Sequence, residues 1–282
     1  MNKDKIKSEL QYMLPKKLIT RSSGYLMSAK LGKFTTYMIK KFVKHYGVDV
    51  SEAAKPVEDY KTFNEFFARE LKKNARPLDN DAKSAVFPAD GTVSELGNIK
   101  DDLLLQAKNH YYTTAALLAD DDDAKTFKDG KFITIYLSPK DYHRVHIPLA
   151  GKLIKMTYVP GEAFSVNPRN AEYIPELFAR NERVVSIFET AVGKMAVVMV
   201  GATIVRSIST AWAGVVTPNS WGELNSTTYD EQEISFAKGA EIGKFMMGST
   251  VICLFEKGAL KFAENLAAGS PTVVKAKMAE TK

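Results

Sequence analysis

Cysteine occurs once in the 282 residues, so there is no internal disulfide framework and the chain suits a reducing compartment. That residue, Cys253, stands inside the apolar run Val251-Ile252-Cys253-Leu254-Phe255, where a buried, inert thiol is expected rather than a nucleophile. Long hydrophobic runs are missing too. The most apolar stretch, Met195 to Val205, is well short of the roughly 20 residues a spanning helix needs. The opening Met1-Asn2-Lys3-Asp4-Lys5 is charged, and no secretory apolar core follows it. These absences predict a protein of the cytoplasm or of a membrane's inner surface. Histidine is scarce at four. His143 and His146, three apart with no cysteine beside them, make a weak zinc pair, and no metal is expected. No internal repeat stands out.

What is present is a globular composition, 45% apolar and 26% charged, in a chain long enough for one large domain or two modest ones. The net charge of +6 is unevenly spread: residues 1–50 carry eleven Lys or Arg against three Asp or Glu, a net of +8, leaving −2 for the other 232. Ile6, Leu10, Met13 and Leu14 recur at helical spacing up to Pro15. Between Lys30 and Tyr46 the pattern sharpens. Leu31, Phe34, Met38, Phe42 and Tyr46 fall on one side of a helix, and Lys30, Lys33, Lys40, Lys41 and Lys44 on the other. Such a helix either lies in a membrane interface, where each lysine is worth about 1 kcal/mol, or packs on its own domain with a solvated basic face. No nucleic-acid-reading motif accompanies the charge, so nucleic acid is not an expected partner.

Thr62-Phe63-Asn64-Glu65 spells a capping box and predicts a helix running to about Lys73, with Phe63, Phe66, Phe67 and Leu71 facing the core and Arg76-Pro77 ending it. From Ala85 onward short β-rich runs alternate with Gly and Pro. Strands are predicted over 91–96, 132–137, 153–159, 184–189, 195–200, 203–208 and 250–255, and a helix over 114–118. The run Asp120 to Asp123 reads as a solvated loop, since it lacks the alternating ligands and turn glycine of a calcium site. Beyond Leu266 the tail is small and polar, and is predicted to be mobile. The predicted fold is α+β: a mainly β, barrel- or sandwich-like domain with N-terminal amphipathic helices.

Four stretches could carry chemistry. Met247-Gly248-Ser249-Thr250 leads into the apolar run around Cys253. By itself it is most simply a tight turn before a core strand. Phe87-Pro88-Ala89-Asp90-Gly91 places one acid in a turn. Tyr136 to Pro148 holds His143 and His146, and Pro160 to Asn167 is a third turn-rich piece. A buried Asp bonded to His, with His bonded to Ser, activates a hydroxyl whatever the order along the chain. The histidine spacing alone is equally compatible with structural roles.

Taken together and in order, these motifs resemble those of the bacterial phosphatidylserine decarboxylases, pyruvoyl-dependent lipid enzymes of the prokaryotic type I. The resemblance runs from Leu10-Gln11-Tyr12 to about Gly258. It includes Thr62 to Phe67, Pro88-Ala89-Asp90-Gly91, Tyr142 to Pro148, Phe164-Ser165-Val166-Asn167, Leu177 to Arg183, and Gly248-Ser249-Thr250. Two departures stand out: Met247 replaces the family's usual Leu, and Asn109 stands where relatives often have Gly.

The resemblance implies a precursor that cuts itself between Gly248 and Ser249. His146, oriented by Asp90, would take the Ser249 proton, and the oxygen would attack the Gly248 carbonyl to form an ester. Elimination and hydrolysis would leave a β chain, 1–248, and an α chain, 249–282, whose first residue is a covalent pyruvoyl group derived from Ser249. That group would form a Schiff base with phosphatidylserine and accept the electrons freed as CO2 leaves, giving phosphatidylethanolamine. His143 is the candidate proton donor or positioning residue. The resemblance further implies a basic, membrane-associating segment at 1–57 and a catalytic domain at 58–282. It implies a peripheral seat on the cytoplasmic side of an anionic phospholipid membrane, associated α and β chains, and a homodimer of αβ units.

Competing readings remain open at this level. A serine hydrolase could use Asp90, His146 and Ser249, although no G-x-S-x-G elbow surrounds Ser249. A peripheral membrane adaptor would have no need of Ser249. A pyruvoyl enzyme acting on a soluble amino acid would have little use for the basic N-terminal segment.

Overall fold

The computed structural model describes residues 3–13, 24–107, 110–203, 207–217, 222–246 and 249–282. Its centre is the strand Ser249–Phe255, every residue of which is buried. Alternation explains why this run is apolar throughout. Val251, Cys253 and Phe255 point into one hydrophobic core, and Ile252 and Leu254 into another. A strand covered on both faces reads as continuous hydrophobicity rather than as every second residue.

Around that strand lies an antiparallel nine-stranded sheet. Its order is Asn225–Thr228, Gly151–Val159, Arg183–Thr190, Gly193–Val200, Ser249–Phe255, Lys131–Leu137, Gly91–Asn98 and Pro271–Thr272, with Ser235–Phe236 also pairing with Gly151–Val159. Two smaller sheets contribute Val145, Ile208 and Phe245, and Ala85, Met278 and Ala279, to the first core. The short helices Thr114–Leu118, Pro168–Tyr173 and Leu177–Arg180 contribute Leu117, Leu118, Ala171, Leu177 and Phe178 to the second. The sheets stay open, so the α+β reading holds in its sandwich-like form and not as a barrel.

Six of the seven predicted strands appear within a residue or two of their expected bounds. The seventh does not: the strand there is Ile208–Thr210, and 204–206 lie outside the described residues. The helix opened by Thr62 keeps its cap, with the Thr62 hydroxyl accepting from Glu65 N–H, but it stops at Phe67. Leu71 instead bridges to Ala53. The Asp run is not a loop. Asp120 caps the helix Asp121–Thr126, and Asp120 and Asp123 together hold Lys155, as acids at a helix N-terminus favour.

The tail is the largest correction. Pro271–Thr272 and Lys277–Thr281 are strands, and Val274, Met278 and Ala279 are buried. Small residues fit where sheet backbones crowd, so polarity there does not signal mobility.

The N-terminal helix Lys3–Met13 docks mainly through polar groups. Ser8 Oγ donates to Asn170 Oδ1 at 2.9 Å, and Ser165 N–H donates to Gln11 Oε1 at 3.0 Å. Leu10 remains exposed, and Leu14 and Pro15 lie outside the described residues. The predicted apolar face of the helix Lys33–Tyr46 divides. Met38 and Phe42 pack on Phe63, Phe66 and Phe67, joined by Ile39 and Val43 from outside the predicted face, whereas Leu31, Phe34 and Tyr46 stay exposed, as does Tyr37.

Candidate active site

One end of the central sheet gathers the predicted residues. Thr92, Tyr136 and Thr250 align across three strands, and Ser249 pairs with Leu137. Asp90 immediately precedes Thr92's strand, two strands from Ser249, about 10 Å at ordinary strand spacing. The chain leaving Leu137 makes a turn in which Asp141 Oδ2 accepts from Ser138 N–H and Oγ, both at 2.7 Å. It then passes through His143 into the strand Arg144–His146. His146 N–H donates to the Pro88 carbonyl at 2.8 Å, which fixes the histidine segment beside the turn that carries Asp90.

Asp90 is buried, yet it does not orient His146. Its carboxylate accepts from Arg76 Nε at 3.0 and 3.1 Å, from Arg76 Nη2 at 2.7 Å, and from Val274 N–H at 2.8 Å. Arg76 also forks onto Glu52 at 2.8 Å through both terminal nitrogens. The expected Asp-to-His bond is therefore replaced by an Arg76-centred network, because a bidentate guanidinium outcompetes a neutral imidazole for a carboxylate. Hydrogen bonds to Glu52 and Asp90 raise the Arg76 pKa further above its ordinary value against a smaller opposing cost of burial.

Backbone carbonyls orient the histidines. His146 Nδ1 lies 2.8 Å from Gly239 O, and His143 Nδ1 lies 2.8 Å from Asp141 O. A carbonyl only accepts, so each Nδ1 carries the proton and each Nε2 keeps a lone pair. On His146 that lone pair accepts the Tyr142 hydroxyl at 3.3 Å. On His143 it is buried without a partner. Burial lowers both pKa values, that of His143 to about 3, so both rings are neutral bases near pH 7. Phe67 covers His143 at 4.1 Å between ring centroids.

Ser249 Oγ is also buried with no hydrogen-bond partner, as is Thr250 Oγ1. An unsatisfied hydroxyl in a dry site costs about 1–3 kcal/mol, and its persistence marks a group held ready rather than a structural anchor. Gly248 and Met247 lie outside the described residues. Among the described residues, no cluster of three or more His, Cys, Asp or Glu converges as a metal site would require. His146 and Tyr142 line a cleft of about 590 Å³, in which Lys72, Lys73, Arg76, Arg144 and Lys275 outnumber Glu70 and Glu241. Arg76 and Arg144 are already paired with acids, so Lys72, Lys73 and Lys275 are what suit this cleft to an anion; Ser249 and His143 do not line it.

The family model described as phosphatidylserine decarboxylase matches residues 63–281, and a second, described as PSD, matches 6–47. The chain belongs to the phosphatidylserine decarboxylase family. A protein of Psychromonas ingrahamii named phosphatidylserine decarboxylase proenzyme is 52% identical over 271 residues, covering 95% of each chain. Proteins of the same name from Shewanella baltica and Shewanella sediminis are 53% and 54% identical over 275 and 269 residues. They cover 95% and 93% of this chain and 94% of their own. Family membership accounts for the other motifs as architecture. Asn167 caps the helix Pro168–Tyr173, Asn181 ties Phe164 to Gly201, and Arg183 donates to the carbonyls of Ala116, Leu117, Ala179 and Asn181.

Arg76, Tyr142, Gly239 and Val274 were not among the sequence-predicted residues. Arg76 carried no signal of this role, since the helix that Pro77 was expected to end stops at Phe67. Val274 carried none, because its contribution is a backbone N–H.

Proposed function

We propose that the chain is the proenzyme of a decarboxylase that converts phosphatidylserine to phosphatidylethanolamine and CO2. The buried, unpartnered Ser249 hydroxyl at the head of the central strand is the observation that carries this reading. Ser249 Oγ attacks the Gly248 carbonyl as His146 Nε2, held as a base by Gly239, takes its proton. The C–N bond gives way to an ester. β-Elimination then expels the Gly248 carboxylate and leaves a dehydroalanine, which water converts to pyruvoyl and ammonia. Asp90, locked by Arg76 and the Val274 N–H, anchors the turn against which the His146 segment packs. The β chain is 1–248 and the α chain 249–282.

The residues present fit a pyruvoyl group at position 249, since that position is fully buried at the head of an apolar strand. That group supplies an electron-accepting carbonyl for the substrate amine as CO2 departs. His143 positions the substrate, since its neutral ring keeps the proton on Nδ1 and offers Nε2 as an acceptor. Cations around the cleft favour the anionic head group over the neutral product.

Residues 1–57 act as the membrane-associating segment and 58–282 as the catalytic domain. Tyr25 is 70% exposed and Phe34 and Tyr37 are each 52% exposed. They stand among the exposed Lys30, Lys33, Lys41 and Lys44, an arrangement suited to a peripheral seat on an anionic cytoplasmic leaflet. No helix among the described residues is long and apolar enough to cross a membrane. The αβ units pair as a homodimer in this reading.

Intact mass and gel analysis of purified wild type beside Ser249→Ala tests the proposal. Wild type is expected as two chains with a blocked α terminus, and the variant as one inactive chain of 282 residues. An uncut wild type that still releases CO2 from phosphatidylserine would overturn it.

A further inference from the structure

Arg69 is only 4% exposed, and its guanidinium forms no ion pair with a carboxylate among the described residues. Nη2 donates to Lys140 O at 3.0 Å and, weakly, to Asp141 O at 3.4 Å. Nε and Nη1 are buried with no partner at all. Other buried or half-buried arginines in this fold are not left so. Arg183 spends its donors on four carbonyls, and Arg76 and Arg144 meet acids. Unsatisfied N–H groups on a desolvated cation are costly, and they persist where a ligand is meant to complete them.

The position indicates which ligand. Asp141 O, which Nη2 contacts, also accepts from His143 Nδ1, so the guanidinium and the imidazole are neighbours through one oxygen. Consecutive rings support them: the Phe66 ring centre lies 5.4 Å from the guanidinium carbon, and Phe67 meets His143 at 4.1 Å with the rings tilted by 48°. His143 Nε2 and two Arg69 nitrogens are thus buried and unpartnered beside one another, as Ser249 Oγ is buried and unpartnered at the head of the central strand.

We propose that Arg69 binds the phosphodiester of the substrate head group through its unpartnered Nη1, which deepens the decarboxylase reading above and rests on it. Phosphatidylserine offers two anions. A guanidinium on the carboxylate would hold the charge that must leave as CO2, stabilising the ground state more than the transition state. The phosphodiester keeps its charge from substrate to product, and its oxygens accept a charge-assisted hydrogen bond from such a donor.

The test compares phosphatidylserine with its methyl phosphotriester, which lacks only that charge, in neutral detergent micelles that remove any effect of bulk membrane charge. Wild type, Arg69→Gln and Arg69→Lys are assayed, with self-cleavage of each followed on a gel. Wild type is expected to favour the diester in kcat/KM by about 10- to 100-fold, the range of a charged hydrogen bond. Arg69→Gln is expected to bring that ratio near one by slowing the diester alone, and Arg69→Lys to fall between. If Arg69→Gln does not mature, Arg69→Lys decides by the same ratio. A wild-type ratio retained in the variants, or equal losses on both substrates, overturns the assignment and leaves the decarboxylase reading standing. A mature wild type inert towards phosphatidylserine would instead fail that reading, and this inference with it.

Discussion

Lowering the pH from 7 to 5 should weaken the folded chain through His143 in a way that can be isolated. In the folded protein burial, reinforced by the nearby charge of Arg69, pushes this imidazole down to about 3 from an ordinary 6.5. Between those values the unfolded chain takes up a proton that the native one refuses. Stability contributed by the neutral ring is therefore present above about pH 6.5 and is lost as pH falls towards 3. For one such histidine, protonating the unfolded state between pH 7 and pH 5 costs about 2 kcal/mol. His146 shifts in the same direction and adds to the total slope. Urea unfolding across pH 5–8 of Ser249→Ala, which keeps the chain in one piece, compared with Ser249→Ala/His143→Phe, extracts the His143 share. Phe preserves the contact with Phe67, and the remaining titrating groups cancel between the two chains. The free energies should converge by about 2 kcal/mol as the pH drops. Parallel curves would refute the claim that His143 is held neutral by burial.

Replacing Arg76 by Met leaves Asp90 buried with one backbone donor. The loss should be about 3 kcal/mol in chemical unfolding, with slowed self-cleavage on a time-resolved gel; unchanged stability would mean that the Arg76 network is not what holds the Asp90 turn. Changing Phe34 and Tyr37 together to Ser should reduce co-sedimentation with vesicles of mixed anionic and zwitterionic lipid by tenfold or more, since each ring is worth about 1.5–3 kcal/mol when fully buried. Maturation should be untouched, and equal sedimentation of variant and wild type would count against the membrane seat.

Much of this protein is decided locally, and local features survive being read as a string. The central strand was recognisable from Val251 to Phe255, the capping box from Thr62 to Glu65, and the helix 114–118 from its short apolar run. The family and its Gly248-Ser249 motif were recognisable because several motifs keep their order. The Asp120 run was misjudged because Lys155, which it holds, is far away in sequence. The tail was misjudged because burial of Val274, Met278 and Ala279 depends on strands laid down almost two hundred residues earlier.

From its residues alone the chain determined most strands of its main sheet, the charge of its first fifth and the identity of the groups that could react. Only the tertiary structure decided how those groups are held. It gave Asp90 to Arg76 and the Val274 backbone, fixed both imidazoles through carbonyls, and left Arg69, His143 and Ser249 with unmet hydrogen bonds. The reason is physical: periodicity and capping act over a few residues, whereas whether a buried polar atom is satisfied depends on every segment that packs around it.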